Sequence, residues 1–120
     1  MLRIGTVFVE LREDDVLGRN QILKPSVFVS RKHVRWERAS PSRAIGEVLH
    51  PNGVAYRRHC STQWKFLGQF EDFTLRNGDQ LCLQLLRRRS RLVRRDLNLE
   101  TLFTFVGDYD SDDTVDDSDP

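Results

Sequence analysis

Arg19, Ser30 and Arg31 carry side chains of the types that can hold a phosphate group, although any one of them alone is commonplace. A phosphate monoester carries nearly two negative charges and three acceptor oxygens, so it is held by an arginine fork, a hydroxyl donor and further cations placed on loops. Lys24, Lys32, Arg57 and Arg58 are candidate auxiliary cations around such a pocket, each with an ordinary solvated charge as its competing reading. A second charged feature is the run Arg87-Arg88-Arg89-Ser90-Arg91-Leu92-Val93-Arg94-Arg95, suited to a nucleic-acid backbone through counterion release. The run contains no aromatic residue for base stacking, and pairing with the acidic carboxy-terminal stretch is its simpler role. Within that stretch Ser111 precedes Asp112-Asp113 and Thr114 precedes Asp117 by three residues, which makes both candidate sites for acidophilic kinases. Phosphate on Thr114 would offer a ligand to the basic pocket of another copy, against the simpler reading of a solvated acidic linker.

Catalytic signatures are missing. There is no G-x-x-x-x-G-K-[ST] loop, no H-E-x-x-H and no G-x-S-x-G, so a non-enzymatic module is expected. His50, His59, Cys60 and Cys82 lack any recognised ligand spacing, which gives no reason to expect a metal or another cofactor. Without C-x-x-C spacing or a secretory signal, the two cysteines read as free thiols. Trp36 and Trp64 read as core or pocket-wall aromatics.

The elements that must position these residues fit in one domain, because 120 residues leave no room for two. At 38% hydrophobic and 31% charged residues the chain can fill one modest core, and it lacks any apolar span long enough to cross a membrane. The net charge of +1 hides an asymmetry. All 19 Lys and Arg lie in residues 1–95 against nine acids, while residues 96–120 hold nine acids and no base. Sixteen of the bases are Arg, whose planar fork suits an anionic partner.

Segments rich in β-branched and aromatic residues recur at 2–11, 16–17, 34–36, 45–49, 54–56, 64–66, 73–75, 81–86 and 102–106. Turn signals separate them at Gly18-Arg19-Asn20, Lys24-Pro25-Ser26, Pro41, Pro51-Asn52-Gly53 and Asn77-Gly78, and this pattern predicts an all-β sandwich. Asn77-Gly78 between two apolar strands predicts a hairpin. In segment 2–11, Ile4 and Phe8 share one parity and Val7, Val9 and Leu11 the other, which predicts a bulge near Gly5 or burial on both faces. Residues 85–100 read as an Arg-rich loop within a final hairpin. Residues 1–106 form the expected domain, and 107–120, acidic and almost free of apolar residues, an expected disordered tail.

Four motifs occur in order: Gly18-Arg19, Ser30-Arg31-Lys32-His33, Asn52-Gly53, and Leu75-Arg76-Asn77-Gly78-Asp79-Gln80-Leu81. Together they resemble the signature of forkhead-associated domains, over about residues 1–106. The resemblance implies a β-sandwich of about eleven strands in two twisted sheets, with loops at one end gripping a phosphothreonine peptide. It implies that Arg19 and Ser30 contact the phosphate, that Arg31 adds a charged contact, and that Asn52 holds the peptide backbone. Gly18 and Gly53 would be structural, and His33 would brace the loop from behind. The resemblance extends to domains of nuclear DNA strand-break repair proteins and of DNA-damage mediator scaffolds, including insect mutator-type proteins. It therefore implies a nuclear interaction module with a phosphorylated protein partner and no membrane association. Val54 stands where the family commonly has Thr or Ser, and only ten residues separate Arg19 from Ser30. These departures favour an alternative, a constitutive homodimerisation domain whose pocket has decayed. Non-specific nucleic-acid binding through residues 87–95 is the third reading.

Overall fold

The computed structural model describes residues 1–22, 24, 28–87 and 91–107. Ser111, Thr114 and the rest of the acidic stretch beyond Gly107 lie outside the described residues, as do Arg88, Arg89 and Ser90. The described chain is all-β. Its strands are β1 (Leu2–Ile4), β2 (Val7–Val9), β3 (Val16–Leu17), β4 (Val34–Ala39), β5 (Arg43–Val48), β6 (Val54–Arg57), β7 (Lys65–Leu67), β8 (Asp72–Arg76), β9 (Gln80–Cys82) and β10 (Leu102–Phe105). These are ten where about eleven are expected. Among the described residues the only helical pieces are single 3-10 turns at 19–21, 94–96 and 99–101. Among the described residues no helix is long and apolar enough to cross a membrane.

The strands form two antiparallel sheets, one of six in the order β2-β1-β10-β9-β6-β7 and one of four in the order β3-β4-β5-β8. Alternation along each strand sends one set of side chains between the sheets. Val34, Trp36, Ala44, Val48 and Leu75 of the smaller sheet meet Leu2, Val54, Leu81, Phe103 and Phe105 of the larger, all nearly or fully buried. Gly46 pairs with Trp36 on one side and Phe73 on the other. A Cβ there would lie 2.7 Å from the Phe73 ring and 2.9 Å from Trp36, so the glycine makes room for the two rings to pack edge to face at 5.8 Å.

Two local expectations are corrected. Asn77-Gly78 is a tight turn, closed by Asp79 N donating to Arg76 O at 2.9 Å with Gly78 at φ +90°, but it joins no hairpin. β8 pairs with β5 in one sheet, and β9 pairs with β10 and β6 in the other. The turn is a sandwich corner. Its stability comes from the buried Asp79 carboxylate, which accepts from Arg76 N (2.9 Å), His59 N (2.8 Å) and the Tyr56 hydroxyl (3.4 Å). The first segment contains neither a bulge nor a single strand. Gly5, at φ +58°, turns the chain so that β1 and β2 pair as a hairpin with Ile4 opposite Val7, and the change of parity marks a reversal of direction.

β9 and β10 pair with each other, so residues 83–101 are the long connection of a final hairpin. Its described parts, 83–87 and 91–101, pack over the outer face of the six-stranded sheet. Leu92 and Leu97 bury against Ala55 and Cys82, with Trp64 and Phe66 alongside, forming a second small apolar cluster. The thiols of Cys60 and Cys82 are free, the first exposed and the second buried.

Candidate functional site

Gly18, Arg19, Ser30, Arg31, His33 and Gly53 are brought together by the end of β3 and the loops that flank β4 and β6. Gly18 is buried against the 29–31 loop so closely that a Cβ would lie 2.2 Å from Ser30 O and 2.4 Å from Arg31 O. Glycine is required there by contact. The approach lets Arg19 N donate to Ser30 O at 3.0 Å, while the Arg19 side chain donates from Nε to Val29 O at 2.9 Å. The two terminal nitrogens of that guanidinium face no described carboxylate within ion-pair distance, and the side chain is half-buried. Ser30 Oγ accepts from Lys32 N at 3.1 Å, which orients the hydroxyl and leaves its proton to donate.

Behind this loop lies His33, fully buried. Its Nδ1 accepts from Ser30 N (3.2 Å), which fixes the tautomer and makes Nε2 the donor to Gly53 O (2.9 Å). One imidazole thus ties the Ser30 loop to the turn that enters β6. His50 stacks on it at 4.9 Å, and His50 Nδ1 accepts from Asn52 N at 3.1 Å. Burial pushes the His33 pKa below its usual value; the bond to Gly53 opposes this and the neighbouring His50 adds to it. His33 is a neutral brace. Gly53, at φ +71° and with a would-be Cβ 2.4 Å from Leu67 O, closes the Pro51-Asn52 turn through its N–H to His50 O.

Arg31, Lys32 and Asn52 lie on exposed parts of these loops. Asn52 also borders a groove of about 570 Å³ whose other walls include Phe28, Pro51, Leu83 and Leu86. The structure gives three of the auxiliary cations other surroundings. Lys24 forms an exposed ion pair with Glu100 at 3.1 Å. Arg57 and Arg58 sit at and beyond the far end of β6, about 13 Å along the strand from Gly53. Burial, then the nearby Asp79 charge, raises the Tyr56 pKa, and the Arg58 guanidinium opposes this.

Two clusters were not evident from the sequence. Glu37, Glu47 and Asp72 bring carboxylate oxygens within 4.8 Å of one another on the outer face of the smaller sheet. Arg35 lies among them, 3.3 Å from Glu47 and 3.7 Å from Glu37, and supplies the compensating charge. Burial, then the Asp72 carboxylate, raises the Glu37 pKa. The second cluster joins Arg57, Trp64, Arg91 and Arg94 around a groove of about 740 Å³ on the opposite sheet. Trp64 reaches the Arg-rich connection through an isolated bridge to Leu92, 28 residues away, a pairing with no local sequence signal. No protein-family model, curated protein or solved structure matches the chain.

Proposed function

We propose that this chain is a non-enzymatic interaction module that binds phosphothreonine peptides in acidic context, acting in a nuclear DNA-damage response or repair protein. The observation that supports this most is the contact of Gly18-Arg19 with the Ser30-Arg31 loop, held from behind by neutral His33. It places a half-buried guanidinium, a hydroxyl donor and a second, exposed guanidinium on neighbouring loops of a rigid sheet, the combination a phosphate monoester requires. Arg19 and Ser30 hold the phosphate, Arg31 and Lys32 add charge, and Asn52 receives the peptide backbone beside its groove. The DNA-damage setting is supported by the ordered motifs alone.

The test is calorimetric titration with a phosphothreonine peptide copied from residues 109–119. A charge-assisted hydrogen bond is worth roughly 1.5–3 kcal/mol, so Arg19→Ala should weaken binding about ten- to a hundredfold. Equal affinity in the variant refutes the pocket. A second reading, constitutive homodimerisation with a decayed pocket, is favoured by β2, an edge strand whose Val7 and Phe8 are 43% and 55% exposed. It predicts a dimer that persists on dilution and ignores the phosphopeptide.

A further inference from the structure

We infer that the groove between Trp64 and the Arg-rich connection binds single-stranded nucleic acid. This site shares no residue with the phosphothreonine pocket and does not depend on it. Three guanidinium groups, Arg57 from β6 and Arg91 and Arg94 from the connection, line about 740 Å³ of open groove. None of the three pairs with a described carboxylate. Asp96, the acid adjacent in sequence, is buried and turns Oδ2 to Val93 N at 3.0 Å, capping its own 3-10 turn.

Arg57 is held without being neutralised. It donates from Nε (2.9 Å) and Nη2 to Gln80 Oε1 and from Nη1 to Ser61 O (2.7 Å), both neutral acceptors, which leaves one further hydrogen on each of Nη1 and Nη2, and it lies 5.5 Å from the centre of the Trp64 ring. Leu92, Val93 and Leu102 give the groove apolar walls. Positive charge alone would suit any polyanion. The aromatic and apolar lining beside it favours a ligand whose anionic backbone carries flat, exposed ring faces, which describes unpaired nucleotides. A duplex hides those faces, and an Asp-rich peptide has none.

The test uses the full chain and a fluorescein-labelled oligothymidylate of about twelve nucleotides, within the usual range of single-strand site sizes. Three phosphate contacts release counterions with a log–log salt slope of about −2, so affinity should fall about twentyfold between roughly 50 and 200 mM salt. Binding should alter tryptophan emission through Trp64, because Trp36 is buried in the core. Arg91→Gln with Arg94→Gln changes two exposed side chains and should bring the slope to about −0.7. If the full chain does not bind, the measurement is repeated with the aspartates at 112, 113, 116 and 117 changed to asparagine, since that stretch can compete for the arginines. Absence of binding there overturns the proposal. So does unchanged affinity in the Arg91/Arg94 variant, a preference for duplex of equal length, or binding of an Asp-rich peptide where the oligonucleotide fails.

Discussion

Protonating His33 should loosen the whole fold, and the size of the effect follows from its two hydrogen bonds. In the folded state Nδ1 accepts from Ser30 N, so a proton there removes the acceptor and sets two donors against each other in a buried site. Burial therefore keeps the folded pKa below its usual value, while in the unfolded chain the imidazole titrates near 6.5. The unfolded state binds more protons between those two values, so stability is complete above about pH 6.5 and is lost as pH falls toward the folded pKa. Between about pH 7.5 and 5.5, titration of the unfolded ring sets an upper bound of ~1.4 kcal/mol on the loss. With a urea dependence of roughly 1–3 kcal/mol/M, the midpoint falls by no more than about 0.5–1.4 M. The assay is urea unfolding at both pH values, followed by the emission of buried Trp36, on the natural chain and on His33→Gln. The two proteins differ at position 33 alone, so the difference between their pH responses isolates that residue. An identical pH response in the two proteins would refute the reasoning.

Other expectations concern contacts of the same kind. Gly18→Ala pushes a methyl into the Ser30 and Arg31 carbonyls and strains the Arg19 N–H bond, costing about 2–4 kcal/mol in urea unfolding, whereas Gly68→Ala meets nothing closer than 3.6 Å and should be near neutral. Asp79→Ala strips the corner of its shared acceptor and should lower stability by about 2–4 kcal/mol in thermal and urea unfolding; a loss under roughly 0.5 kcal/mol would show that the corner is held by the turn alone. Thiol labelling should be biphasic, with exposed Cys60 reacting at once. Buried Cys82, its pKa raised by burial, should react only at the rate of opening. Two fast thiols would contradict the packing of the second apolar cluster.

The all-β architecture was legible because short β-branched runs and turn residues alternate along the chain. Sheet membership was not. Asn77-Gly78 announces a tight turn through glycine's access to positive φ, but whether the next strand pairs with the last or crosses to the other sheet is decided by distant partners, here β5 for one and β6 and β10 for the other. Gly5 was ambiguous for a related reason, since a two-residue reversal and a bulge change parity alike. At the candidate site, Gly18, Arg19, Ser30 and His33 were identifiable because motif order and side-chain chemistry agreed. The separation of Arg57 and Arg58 from the Gly53 turn was not legible, because proximity in sequence becomes distance along an extended strand. Trp64 beside Arg91 and Arg94 could not be foreseen, because the connection folding back over the sheet is a tertiary event.

β6 has a consequence for how the two surfaces relate. Val54, Ala55 and Tyr56 are all buried, the first and third in the main core and the second under the Arg-rich connection. A strand clamped on both faces and hydrogen-bonded on both edges, to β7 and β9, has no soft direction in which to slide. Gly53 precedes one end and Arg57 closes the other, so β6 is a spacer with a length of about 13 Å set by the rise of four residues. The two proposed sites at its ends are therefore set at a fixed separation.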